Sequence, residues 1–153
     1  MDGQLWNSNG EVFTTGVTGF RIGNPRTSSA DKVLINIAVE GQATIAAVDT
    51  GGHYLVCDPG LAELIAERLT DHEGNTVVSI RGRRISGDLY RCQLEFRATA
   101  GVGCVIDATA FIPHPNPDEP WDLPTFIGWT GVLERMVIAI DPSRDQFHFG
   151  PLP

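Results

Sequence analysis

Between residues 33 and 48 apolar and polar positions alternate. Val33, Ile35, Ile37 and Val39 fall on one side of a strand, Glu40-Gly41 offers a turn, and Ala43 to Val48 runs back as a second strand. The predicted hairpin delivers Asp49 at a strand end. Further on, the period lengthens. Asp58 is placed to cap a helix with Pro59 at its first position; Leu61, Leu64, Ile65 and Leu69 share one face, and Glu63, Glu67 and Arg68 the other. Two β-type runs, Val77 to Ile80 and Ile85 to Phe96, flank Arg81-Gly82-Arg83-Arg84 and predict a projecting hairpin with a glycine near its tip.

Val102 to Ile112 is another β-branched run, and it ends in Pro113-His114-Pro115-Asn116-Pro117, whose prolines predict a loop lasting to about Asp122. Thr125-Phe126-Ile127-Gly128 then leads into a predicted helix around Val132 to Met136. A strand at Val137 to Ile140, a turn at Asp141 to Arg144 and a closing strand at Gln146 to Phe149 follow. Residues 1 to 31 are rich in Gly, Asn, Ser and Thr; only Val12-Phe13 and Phe20 to Ile22 look strand-like, and Asn24-Pro25 marks a break. The expected organisation is a loosely structured N-terminal arm over 1–31, one domain over 32–150 and a tail over 151–153.

Composition narrows the function classes. A chain of 153 residues, 42% hydrophobic and 20% charged, suits one globular domain that buries roughly 70% of its unfolded surface. No apolar run approaches the roughly 20 residues a bilayer demands, and Met1-Asp2-Gly3-Gln4 lacks the character of a signal peptide. A cytoplasmic protein without a membrane partner is expected. A net charge of -8 argues against nucleic acid as a partner, since phosphate binding needs surplus Lys and Arg. That charge falls in mild acid, which lowers self-repulsion there. Cys57, Cys92 and Cys104 show no C-x-x-C pairing, and His72, His114 and His148 share no ligand spacing, so buried thiols and neither metal nor cofactor are expected. Gly101-Val102-Gly103 reads as a turn rather than a nucleotide loop, and no Gly-x-Ser-x-Gly supports a serine hydrolase. Trp121 is expected to anchor the proline-rich loop and Trp129 to pack in the core.

The candidate chemistry centres on Asp49-Thr50-Gly51. A carboxylate at the end of an apolar strand is useful where its oxygens must sit in a groove near backbone amides. Gly51 permits a tight turn and close approach of another backbone, and the Thr50 hydroxyl is expected to bond locally and fix the loop. His53 is close in sequence, but strand geometry turns neighbouring side chains apart and suggests a groove-lining or structural role.

The triplet follows a strand and is matched some eighty residues later by an apolar-apolar-glycine element, Phe126-Ile127-Gly128. This arrangement resembles the retropepsin family of aspartic peptidases over about residues 32–150. The resemblance implies a mainly β, closed-barrel acid-protease fold with a flap hairpin, one or two short helices and a two-fold dimer. It also implies that Phe126, Ile127 and Gly128 pack across the Asp-Thr-Gly loop, with Asp49, Thr50 and Gly51 as catalytic residues. Gly52, His53, Ile80, Arg81, Gly82 and Arg83 are then the expected substrate-binding residues. Only one Asp-Ser/Thr-Gly triplet is present, so a competent site needs a second copy of the chain, a homodimer acting on a peptide or protein.

Several readings stay open at this stage. Gly52 stands where the family commonly has Ala or Ser, and the hairpin carries Arg81, Arg83 and Arg84 where viral members have glycines. A non-catalytic dimerisation or peptide-binding domain is therefore the alternative function. Asp49 could be a turn aspartate bonded to its own backbone, and Gly128 a glycine at a helix start. The arginines could protect an edge strand or select acidic side chains.

Overall fold

Within the glycine- and threonine-rich N-terminal stretch, strands form between residues 5 and 23 where a loose arm is expected. The computed structural model describes residues 3–23 and 32–153 and forms β1 (Leu5–Trp6), β2 (Val12–Thr14), β3 (Gly16–Gly19) and β4 (Arg21–Gly23) from this segment. Thr14, Val17 and Thr18 are buried. The break expected at Asn24-Pro25 lies outside the described residues.

The alternating pattern forms its predicted hairpin: β5 (Lys32–Val39) runs antiparallel to β6 (Gln42–Val48), with Val39 opposite Gln42. Next come β7 (Leu55–Val56) and α1 (Pro59–Ile65), where Asp58 Oδ1 accepts the Leu61 N–H at 3.0 Å. Leu61 and Ile65 are buried, but Leu64 is 60% exposed. In a helix this short the buried stripe is centred on the Leu61 and Ile65 pair, and Leu64 lies at its edge.

β8 (Asp71–Ile80) and β9 (Arg83–Phe96) are joined by Arg81-Gly82 alone, at φ 51° and 77°. Two positive φ values match the twist of the flanking strands, so Ile80 pairs with Arg83. Arg83 and Arg84 therefore open a strand instead of sitting in the turn. The remaining elements are β10 (Ala100–Gly101), β11 (Cys104–Pro113), β12 (Thr125–Ile127), β13 (Met136–Asp141) and β14 (Gln146–Pro151). The helix expected around Val132 to Met136 is only a 3₁₀ turn at Leu133–Arg135, because Met136 already begins β13. Pro151, assigned to a tail, ends β14.

The molecule is mainly β. One mixed sheet runs β4-β5-β6-β12-β7-β11-β9-β8, and β5 also pairs with β9 where Ile37 to Val39 face Phe96 to Leu94. A second sheet runs β10-β3-β14-β13, so the N-terminal β3 sits between a C-terminal strand and β10. The main core lies between them, with the Phe96 ring 6.2 Å from Phe147 and 5.7 Å from Phe149. A smaller cluster of Leu34, Val56, Val78, Phe111, Leu123 and Phe126 ties the β8–β9 hairpin to the strands beneath it. The three cysteines are buried and unpaired; burial pushes the Cys92 thiol up to about 12 and raises Cys57 and Cys104, which leaves them unreactive as thiolates. Among the described residues no helix is long and apolar enough to cross a membrane.

Candidate active site

Asp49 stands where β6 ends, and β12 fixes the loop that follows. β12 lies between β6, which it joins in parallel (Ile127 beside Val48), and β7, which it joins antiparallel (Phe126 beside Val56). The Asp49 N–H donates to the Ile127 carbonyl at 2.8 Å, the Gly128 N–H to Tyr54 at 2.9 Å, and the Trp129 N–H to Gly52 at 2.8 Å. The Tyr54 N–H reaches the Thr130 carbonyl at 2.9 Å. Two chain segments far apart in sequence are thus laced together through main-chain groups.

Gly128 is required by this approach. A Cβ there would fall 2.7 Å from the His53 carbonyl carbon and 2.7 Å from the Tyr54 oxygen, closer than packed atoms come. The apolar-apolar-glycine element therefore packs across the Asp-Thr-Gly loop, as the resemblance implies. Asp49 Oδ1 accepts the Gly51 N–H at 3.2 Å. The Thr50 hydroxyl, expected to brace the loop, is exposed and makes no hydrogen bond among the described residues; main-chain groups do that work.

The half-buried Asp49 faces a cavity of about 130 Å³. Gly51, Gly52 and His53 complete its loop side, and Val56 and Phe126 form an apolar wall. Ile80 and Arg81 close it from the hairpin. Of the residues expected at the site, Asp49, Gly51, Gly52, His53, Ile80 and Arg81 are brought together here. The structure does not bring Gly82 or Arg83 to them: Gly82 is at the turn with open space around its Cα, and Arg83 borders a second cavity. Arg83 lies 3.4 Å from Glu119 and 3.7 Å from Asp122. His53 Nδ1 shares a 2.9 Å hydrogen bond with the Thr130 hydroxyl, a contact that pins the ring at the rim. Trp129 is 48% exposed, contrary to the expected core position; its amide is held by Gly52 and its ring is left toward solvent.

Among the described residues Asp49 is the one carboxylate lining this compartment, and no cluster of His, Cys, Asp or Glu is arranged for a metal ion. Two features escaped the sequence. One is the second cavity, about 500 Å³, between the start of β9 and the proline-rich loop. The other is Asp88, flanked by His114 Nε2 at 3.1 Å and His72 Nε2 at 3.4 Å, whose hydrogen bonds, His114's first, hold its carboxyl below the usual range. The Pro run and Trp121 flagged the loop but not the hairpin it meets.

No protein-family model matches the chain, and no curated protein matches it either.

Proposed function

We propose that the chain is one subunit of a cytoplasmic, homodimeric aspartic endopeptidase with a retropepsin-like closed barrel, the ring being β5-β6-β12-β7-β11-β9. The observation that carries this reading is the seat of Asp49. Its carboxylate is held by a loop amide, braced by β12, open to a cavity roofed by a hairpin, and accompanied there by no second acid among the described residues. A second copy related by a two-fold axis supplies the missing acid. Two carboxylates brought within about 3 Å of one another cannot both ionise cheaply and share a proton. The ionised member then draws a proton from the water between them as that water attacks the scissile carbonyl. The protonated member stabilises the developing oxyanion, and proton return to the leaving nitrogen breaks the amide. The pair titrates as a unit, and the hairpin at Ile80 and Arg81 excludes bulk water.

One observation favours the non-catalytic alternative. At Gly52 a Cβ would rest 3.4 Å from the Asp49 Cγ, ordinary contact, so the missing side chain is not forced by space and its absence leaves the carboxylate without a neighbouring hydroxyl. Asp49→Asn separates the readings. With denatured protein as substrate between about pH 4 and 7, the substitution should reduce cleavage by at least about 100-fold while the fold and dimer persist, and a statine should inhibit the wild type. Unchanged cleavage in Asp49→Asn, or a strict monomer that still cleaves, would remove the dyad.

A further inference from the structure

The larger cavity is built differently from the Asp49 compartment and shares a wall with it. Across the β8–β9 hairpin Val78 pairs with Ile85 and Ile80 with Arg83. Val78 and Ile80 face Asp49, whereas Arg83 and Ile85 border the second cavity. Ile85 and Trp121 also pack on the cluster containing Val56, Val78 and Phe126, the wall of the Asp49 compartment. The two spaces therefore flank one hairpin over one apolar floor.

The chemistry of the second space is legible. Its far side is stiff and apolar, formed by the prolines of the 113–117 run with Pro59 opposite. Trp121 is half-buried, and its Nε1–H donates to the Leu123 carbonyl at 2.7 Å, which fixes the indole plane. Such a surface suits an aromatic side chain. Its charged members are Arg83 and Arg84 against Glu119, with His114 occupied by Asp88. Arg84 makes no ion pair among the described residues. The Arg83 pairs with Glu119 and Asp122 are long and solvent-exposed, so they cost little to exchange. In a chain of net charge -8, Arg83 and Arg84 put two guanidinium groups on the hairpin side of this cavity, and Arg84 is left to meet an incoming carboxylate.

We propose that the proline-walled cavity is a recognition site for an acidic polypeptide segment carrying an aromatic residue. The ring lies against Trp121 and the prolines, and flanking carboxylates lie against Arg83 and Arg84. One extended chain fills this site and the Asp49 compartment together, so the bond to be cut is chosen by an acidic, aromatic sequence set back from it. Its role as a substrate subsite rests on the peptidase reading; the binding itself does not.

The test is calorimetric binding to the Asp49→Asn protein, in which turnover and recognition are uncoupled. The probes are a pentapeptide of glutamates around one phenylalanine, its lysine counterpart, and the glutamate peptide with alanine at the centre. The first should bind at least about tenfold tighter than either other peptide, and added salt should weaken it. Substituting Arg83→Glu and Arg84→Glu together should abolish or invert the preference for glutamate over lysine, with the melting curve confirming a folded protein. Equal affinity for the acidic and basic peptides, or a preference that survives the double substitution, overturns the proposal. The comparison of peptides on the Asp49→Asn protein decides even if the double variant does not fold. If binding follows this pattern while Asp49-dependent cleavage is absent, the recognition site stands and the peptidase falls. Cleavage without the preference gives the reverse.

Discussion

The loop that holds Asp49 and the tip of the hairpin that covers it are secured by different means. Around Asp49 the restraints are main-chain hydrogen bonds, from Asp49 to Ile127, Gly128 to Tyr54 and Trp129 to Gly52, and a contact so close that only glycine fits at 128. At the hairpin tip they are exposed side-chain pairs, Arg83 with Glu119 and Asp122, spread over 3.4 to 3.7 Å. Backbone lacing fixes the main chain from which the carboxylate hangs without relying on any side-chain rotamer. Solvated ion pairs place the tip only loosely, which suits the proposed role of a cover that admits a polypeptide.

A matched pair of glycine substitutions tests that contrast. Gly128→Ala drives a methyl into the main chain of His53 and Tyr54 at 2.7 Å, and with backbone on both sides nothing flexible can yield. A loss of about 3 kcal/mol or more is expected in chemical denaturation. Gly82→Ala keeps a left-handed φ of 77° but meets nothing within 4 Å, so it costs about 1 kcal/mol of backbone strain. Equal losses at the two positions would erase the distinction between laced loop and loose tip.

The same contrast explains what could be read along the chain. The Asp-Thr-Gly loop was legible because its signal is local, a triplet after an alternating hairpin; the packing of Phe126-Ile127-Gly128 across it came with the resemblance to retropepsins, and β12 as a strand was not read at all. The existence of a β8–β9 hairpin was legible too. The contents of its tip were not. Arg83 was assigned to the Asp49 site, but its partners Glu119 and Asp122 lie beyond two strands in sequence, and nothing in a run of arginines says which of two adjacent cavities each will border. The N-terminal strands were missed for a related reason. β3 is four residues of Gly-Val-Thr-Gly, too short for a period, and becomes a strand through pairing with β14 and β10. Leu64 and Trp129 were placed inside by their hydrophobicity, yet each is near half or more exposed; apolar surface is common on folded proteins.

Arg83→Ala should have a smaller effect than either glycine change. Two exposed, long ion pairs contribute at most about 1 kcal/mol, and salt screens that contribution. Thermal melting in low and high salt should show a small difference that shrinks as salt rises. A loss of several kcal/mol, independent of salt, would mean that the tip is as firmly built as the loop.

The finest test uses pH, because the base of the hairpin depends on titratable side chains and the Asp49 loop does not depend on them for its lacing. Asp88 on β9 bridges His114 of the proline-rich loop and His72 of β8, and those hydrogen bonds hold its folded-state value below the ordinary 3.8. A depressed carboxyl value means that the folded form prefers the ionised group. The resulting stabilisation is complete above 3.8 and disappears as pH falls through the depressed value. Asp88→Asn should therefore melt slightly below the wild type above that window, and the two curves should converge on the acid side of it. Hydrogen exchange sharpens the point: after allowance for intrinsic rates, the amides of Asp49 and Gly128 should keep their relative protection through the same titration, while those around Ser86 and His114, where the proline-rich loop meets β9, lose theirs. A melting difference constant across the titration would show that the Asp88 bridges do not operate, and parallel loss of protection at Gly128 would show that loop and hairpin open as one unit.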